Sequence, residues 1–240
     1  MISIDEDGVI SPPRETIFPI FRVDKFNRYF LVGTGFYVAP DGIFVTAKHV
    51  IEEVIDNSDQ LKILHMEGEK WVMRKMAFYT PHHKADIAVG MLDRILFKGT
   101  GKFLENKYST ISAKQPKHGD HLYTYAYPKT EIKFDKLQHI NVVPTPYDGL
   151  VTGCFPDGRD LVMLPSACYQ VEMAIVGGAS GGPVFDDLGK VVAINSTSYE
   201  DDNITFVSCI QDLLLLDPYQ NATISNSFTK TAVMDLVKLI

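Results

Sequence analysis

An all-β chain built from about a dozen short strands and closed by one C-terminal helix is the architecture this sequence predicts. Three observations predict it. Short alternating or apolar runs recur through most of the 240 residues. Turn-forming residues stand between them. Helical periodicity is scarce until the last fifteen or so positions.

In chain order the strand-like runs are Tyr29–Val38, Ile43–Ala47, Leu61–His65, Trp71–Tyr79 and Ile87–Leu92. They continue with Leu122–Tyr127, Leu137–Val143, Tyr169–Ala174, Val184–Phe185, Val191–Ser196 and Ile204–Ile210. Breakers fall at Pro40-Asp41-Gly42, Pro116 to Gly119, Pro144-Thr145-Pro146, Asp157-Gly158 and Asp187 to Gly189. Val50 to Ile55 has room for one or two helical turns. Phe228, Val233, Leu236, Val237 and Ile240 share one helical face, with Ser227 as N-cap. The polar stretch from Lys98 to Gln115 divides two halves of similar strand count. This predicts lobes over 15–105 and 115–212 and a helix over 226–240. Barrels and sandwiches both satisfy the pattern.

Composition narrows the function. Hydrophobic residues make up 45% and charged residues 22%, as in an ordinary globular protein. A net charge of −7 repels phosphate backbones, so a nucleic-acid partner is not expected. No apolar run approaches the roughly 18 residues that span a bilayer. The first residues, Met1 to Asp7, are acidic and do not read as a secretory signal, which predicts a cytoplasmic protein. Cys154, Cys168 and Cys209 are too few for a disulfide-stapled domain and are expected as buried thiols. No metal or other cofactor is expected. His82-His83 and His118-Gly-Asp-His121 have no carboxylate or cysteine cluster at ligand spacing and read as loop histidines.

Three segments carry chemistry. In Val176-Gly-Gly-Ala-Ser-Gly-Gly-Pro-Val184, four glycines crowd Ser180. Glycine allows positive φ and close backbone approach, so the segment is a tight turn that presents the hydroxyl among free N–H groups. Acyl transfer requires that arrangement, because preorganised donors must meet the tetrahedral oxyanion. In Gly33-Thr-Gly-Phe through Val45-Thr-Ala-Lys-His49, strand, turn and strand bring His49 to a rim at the end of the second strand. In Lys84-Ala-Asp86-Ile-Ala-Val89, an aspartate opens an apolar strand and needs a donor. The Nδ1–H of a histidine would satisfy it and leave Nε2 free to accept a proton.

Together Thr-Ala-x-His-Val, Asp-Ile-Ala and Gly-x-Ser-Gly-Gly-Pro resemble the trypsin/chymotrypsin-like serine peptidases. They stand in that family's order, 37 and 94 residues apart. The resemblance spans about residues 15 to 212. It implies two six-stranded antiparallel barrels, with His49, Asp86 and Ser180 as a catalytic triad and Gly178 and Ser180 N–H groups as the oxyanion hole. Peptides or proteins would be the substrates. Within the superfamily the likeness is to HtrA-type and related intracellular peptidases, whose strand after the nucleophile Val191–Ser196 resembles. By motif position a specificity pocket would have its base at Ala174 and Ile175 and walls at Ser196, Thr197, Ser198 and Ile204. It carries no charge, which implies small or medium aliphatic side chains before the scissile bond.

Two departures are informative. Digestive trypsins place an aspartate just before the serine to bind a newly cut N-terminus, and here that position is Ala179. HtrA proteins carry a PDZ domain, for which the 28 residues beyond Asp212 are too few. A trypsin-fold binding module without catalysis is the principal alternative. An α/β-hydrolase is disfavoured, because its triad runs Ser, Asp, His.

Overall fold

A computed structural model describes residues 3–4, 10–11, 13–134, 138–199, 203–214 and 216–218. The helix expected over 226–240 lies outside the described residues. Twelve strands close into two antiparallel barrels of six. The first uses β1 (Ile17–Val23), β2 (Tyr29–Tyr37), β3 (Ile43–Thr46), β4 (Gln60–Glu67), β5 (Lys70–Pro81) and β6 (Ala88–Leu92). The second uses β7 (His121–Ala126), β8 (Thr145–Phe155), β9 (Cys168–Val171), β10 (Pro183–Phe185), β11 (Val191–Tyr199) and β12 (Ile204–Cys209). Around the first barrel the order is β1-β2-β3-β6-β5-β4, and around the second it is β7-β8-β9-β12-β11-β10. The two halves therefore repeat one topology. Closure removes the exposed edges that open sheets must protect.

Each barrel is filled by the inward set of its alternating strands. Phe18, Ile20, Tyr37, Phe44 and Ile63 are buried in the first, as are Leu122, Val151, Val171, Val184 and Val207 in the second. A third cluster, including Ile17, Phe36, Val45, Ile111, Phe185 and Ile194, draws on both barrels. Tyr127, fully buried after β7, donates its hydroxyl to the Ile17 carbonyl at 3.1 Å.

Several elements differ from expectation, each for a local reason. β1 contains Pro19, which discourages a strand assignment, yet Pro19 sits opposite Thr34 in the ladder, just ahead of a register shift between Ile20 and Phe21. β8 runs through Pro146, read above as a breaker, which pairs with Tyr125 near the start of the strand. The run Leu137–Val143 contributes Gln138–Asn141 to a two-stranded ribbon with Glu131–Phe134, outside the barrel. The polar connector is not simply solvated. Ser109, Thr110, Ile111 and Ser112 are buried, with Ser112 N–H donating to Val191 and Val191 N–H to Thr110, both at 2.9 Å. The three cysteines are free, but Cys154 is exposed rather than buried. β8 alternates its side chains between the two faces, and Cys154 lies on its outward one. Among the described residues no helix is long and apolar enough to cross a membrane.

A polar network lies inside the first barrel. Buried Arg74 donates to Asn106 Oδ1 at 2.6 Å, to the Asp93 carbonyl at 3.1 Å and to the Tyr37 hydroxyl at 3.3 Å. The Tyr37 hydroxyl meets His65 Nδ1 at 2.9 Å. Burial, reinforced by the Arg74 charge, pulls the His65 imidazole down to about 4. The unfolded chain takes up this proton near the ordinary 6.5, while the folded chain resists it until about 4. Unfolding is therefore coupled to proton uptake between those values, and stability falls as pH drops through that window. We expect His65→Gln to flatten the fall in Tm between about pH 7 and pH 4.5 relative to wild type. Parallel Tm–pH lines for the two proteins would show that His65 does not carry this dependence.

Candidate active site

His49 reaches the cleft between the barrels on a helix, not at a strand end. β3 stops at Thr46, Ala47 is the N-cap, and α1 runs from Lys48 to Asp56. Val50, Ile51 and Val54 bury one face of α1, which leaves His49 and Glu52 on the cleft side. Ala47 offers no side-chain cap, so the first turn needs an acceptor from elsewhere. Asp86 supplies it. Its Oδ1 accepts the His49 backbone N–H at 3.1 Å, a capping contact that also places an anion at the positive end of the helix.

The same carboxylate holds the imidazole. His49 Nδ1 lies 2.9 Å from Asp86 Oδ2 and 3.1 Å from Oδ1. Ser196, on β11 of the second barrel, donates its hydroxyl to Asp86 Oδ2 in a short hydrogen bond. Burial pushes the Asp86 carboxyl up, but the bond and charge of His49, then the Ser196 hydroxyl and the His49 N–H, hold it below its ordinary value. For His49 burial favours the neutral ring. The bond and charge of Asp86, with Glu53 and Glu52 behind, outweigh it and raise the imidazole above 6.5. With Nδ1–H committed to Asp86, Nε2 is the acceptor nitrogen.

Ser180 stands on the turn before β10. Gly178 adopts φ 90° and Gly181 φ 83°, conformations that glycine tolerates and other residues rarely adopt. A Cβ on Gly181 would lie 2.5 Å from the Thr34 carbonyl oxygen and 2.6 Å from the Ala47 amide nitrogen, so the turn rests directly on the first barrel's backbone. Gly181 N–H donates to Asn195 O at 2.8 Å and Asn195 N–H to Gly182 O at 2.9 Å, which anchors the turn to β11. Among the described residues the Gly178 and Ser180 N–H groups have no hydrogen-bond partner. The Ser180 hydroxyl donates to the Ser196 carbonyl at 3.4 Å, and no hydrogen bond joins it to His49. Both side chains line one cleft, with Asp86, Ser196, Thr197 and Ser198.

Of the residues expected to form a specificity pocket, the structure brings Ser196, Thr197 and Ser198 to this cleft but not Ala174, Ile175 or Ile204. Ile175 is buried in the second barrel's core, Ala174 points to solvent, and Ile204 packs on Phe206 and Leu164. The ladder of β9 ends at Val171, and beyond it Met173 and Ile175 face inward while Glu172 and Ala174 face outward.

Sequence reasoning missed Val162, Met163 and Pro165, which line the cleft. Leu161, Val162 and Met163 are 95%, 83% and 60% exposed, on a loop held by the Asp160 carboxylate. Its Oδ1 accepts N–H groups from Val162 at 2.9 Å, Met163 at 2.6 Å and Leu164 at 3.3 Å. The signal was present as three consecutive apolar residues after a turn, Leu161 to Met163, of which none is buried, ahead of the buried Leu164.

Two of the other histidines have local hydrogen-bond partners. His82 Nδ1 accepts the Ala85 N–H at 2.7 Å, and His121 bridges the Tyr123 hydroxyl and Asp148 at 2.7 and 3.0 Å. His121 is a strand residue rather than a loop one.

Two like barrels with serine, histidine and aspartate gathered in the cleft between them define a class, the two-barrel serine peptidases. The chain belongs to the trypsin-like peptidase domain family, whose model matches residues 33–194. Among solved structures it is similar to Deg5, at 17% identity over 88% of this chain and 90% of that one, with a TM-score of 0.63. It is also similar to the active form of the Rv3671c protease of M. tuberculosis, at 16% identity over 92% and 86% of the two chains, with a TM-score of 0.62. These likenesses concern the fold. A comparison with curated proteins returns no match.

The electrostatics give a direct test. In an NMR titration the His49 imidazole is expected to show a midpoint above 6.5. Glu53→Gln should lower it by removing a carboxylate that favours the cation, and Asp86→Asn should lower it further. A wild-type midpoint below that of a free imidazole would contradict the geometry.

Proposed function

We propose that this protein is a serine endopeptidase in which Ser180 is the nucleophile, His49 the general base and Asp86 the residue that orients the base. The observation that carries this reading is the His49–Asp86 pair, which leaves Nε2 as acceptor in the same cleft as a glycine-flanked serine. In the proposed reaction the Ser180 side chain turns from the Ser196 carbonyl toward His49 Nε2 across the cleft that both residues line. His49 then takes the hydroxyl proton as Oγ attacks the peptide carbonyl, and later returns it to the leaving amine. Asp86 remains ionised and stabilises the imidazolium. The unpartnered N–H groups of Gly178 and Ser180 are suited to receive the oxyanion.

Substrate preference follows from the cleft walls. Val162, Met163 and Pro165 border it beside Ser196, Thr197 and Ser198, and Lys48, Glu52 and Lys84 line it as well. An apolar side chain gains about 1.5–3 kcal/mol on full burial, whereas a lysine or arginine would lose hydration there. The proposed preference is for small or medium aliphatic residues such as Val, Ala or Leu. Ala179 is fully buried among aliphatic neighbours. No carboxylate at this position receives a newly cut N-terminus, so activation of the digestive kind is not part of the proposed mechanism.

Ser180→Ala should abolish peptide hydrolysis and fluorophosphonate labelling while Tm stays close to wild type, and Asp86→Asn should lower kcat by about 10⁴-fold. A Ser180→Ala protein that still turns over a casein-like substrate sinks the assignment, and an unlabelled wild type would favour a binding module. Mass spectrometry of the products should place the cuts after aliphatic residues. Met163→Glu should reduce kcat/KM for such sites by about tenfold, and consistent cleavage after Lys or Arg would reject the proposed preference.

A further inference from the structure

Thr34 is fully buried in β2, where the first barrel meets the nucleophile turn. None of the roles above uses its side chain. Four of its polar interactions are made at once. Its N–H donates to the Ser180 carbonyl at 2.9 Å. Its hydroxyl donates to the Gly178 carbonyl at 3.0 Å and accepts the Tyr127 N–H at 3.3 Å. Its own carbonyl accepts the Thr46 hydroxyl at 2.8 Å.

These contacts connect the two halves of the site. Thr46 ends β3, three residues before His49. Gly178 and Ser180 flank the turn that presents the nucleophile, and Tyr127 follows β7 of the second barrel. Hydrogen bonds therefore run from the segment carrying His49, through Thr46 and Thr34, to both sides of Ser180. A buried hydroxyl that donates and accepts is costly to remove, because the Gly178 carbonyl and Tyr127 N–H would each lose a partner.

Building on the proposed peptidase mechanism, we propose that Thr34 is a positioning residue whose hydroxyl sets the nucleophile turn against His49. It acts through the Gly178 carbonyl. That carbonyl belongs to the peptide joining Gly178 to Ala179, between the two N–H groups offered to the oxyanion. Fixing this peptide fixes the spacing of those donors and the origin of the Ser180 side chain. The role concerns turnover rather than substrate affinity, because Thr34 is buried and does not line the cleft.

The test begins with fluorophosphonate labelling of wild type and Ser180→Ala. Labelling of the first and not the second establishes the nucleophile, so a failure of that reading is distinguished from a failure of this one. Thr34→Val keeps shape and the backbone N–H but removes the hydroxyl. Its kcat should fall roughly tenfold to a hundredfold with KM within about twofold, and phosphonate inactivation should slow in parallel. Thr34→Ser restores the hydroxyl and should return kcat to within about threefold of wild type. Should Thr34→Val not fold, Thr34→Ala is measured by the same criteria. A folded hydroxyl-free variant with wild-type kcat overturns the proposal. So does a folded Thr34→Ser that loses as much as the hydroxyl-free variant.

Discussion

One carboxylate holds the site together. Asp86 lies just before β6 of the first barrel, accepts two N–H groups from His49 on α1, and accepts the Ser196 hydroxyl from β11 of the second. A largely buried carboxylate without donors costs several kcal/mol, so its surroundings must supply them. Here the donors come from a helix start, an imidazole and the opposite barrel. Meeting that requirement caps α1, fixes the tautomer of His49 and ties the barrels across the cleft. Removing one donor would leave the others to compensate, which makes the arrangement cooperative rather than a sum of pairs.

Close approach of backbones is the second constraint. The turn bearing Ser180 fits against β2 and β3 because glycines occupy positions where a Cβ would strike main-chain atoms. Positive φ at Gly178 and Gly181 gives the turn its shape. Both constraints act between elements distant in sequence, so neither barrel alone would form the cleft.

This division explains what the sequence made legible. The turn around Ser180 was readable because four glycines beside one serine have few other uses, and Asp86 because a carboxylate opening an apolar strand needs a partner. Strands such as β3 and β6, buried apolar runs between breakers, were equally plain. β1 and β8 were hidden by Pro19 and Pro146, since the local rule about proline does not reveal where a ladder leaves an N–H unused. His49 was misplaced by a few residues because the cap of α1 is supplied by Asp86, 37 residues away, and not by its own neighbours. The cleft wall was harder still. Ala174 and Ile175 follow a strand whose ladder ends at Val171, and although the alternation of Val171, Met173 and Ile175 marks an inward set, it does not tell that this set enters the barrel core and not the cleft. Val162 and Met163 reach the cleft on a loop organised by Asp160, a local feature whose destination depends on the fold of both barrels.

The two barrels repeat one strand order, yet they contribute unlike parts to the cleft. The first supplies His49 and Asp86 from segments around its β3 and β6. The second supplies Ser180 before β10 and the partner hydroxyl from β11. The relative placement of these groups is therefore set by packing between the barrels. Tyr127 reaches the Ile17 carbonyl, Ile111 and Val191 join the connector to β11, and Thr34 meets the nucleophile turn. Each contact is remote from a reacting proton, but each restricts how one barrel can slide on the other. A shift of about 1 Å between nucleophile and base is enough to cost two orders of magnitude in rate. Burial of Thr34 and Thr110 at this seam is consistent with that demand, because their hydrogen bonds to the nucleophile turn and to Val191 specify registry where apolar contact alone permits sliding.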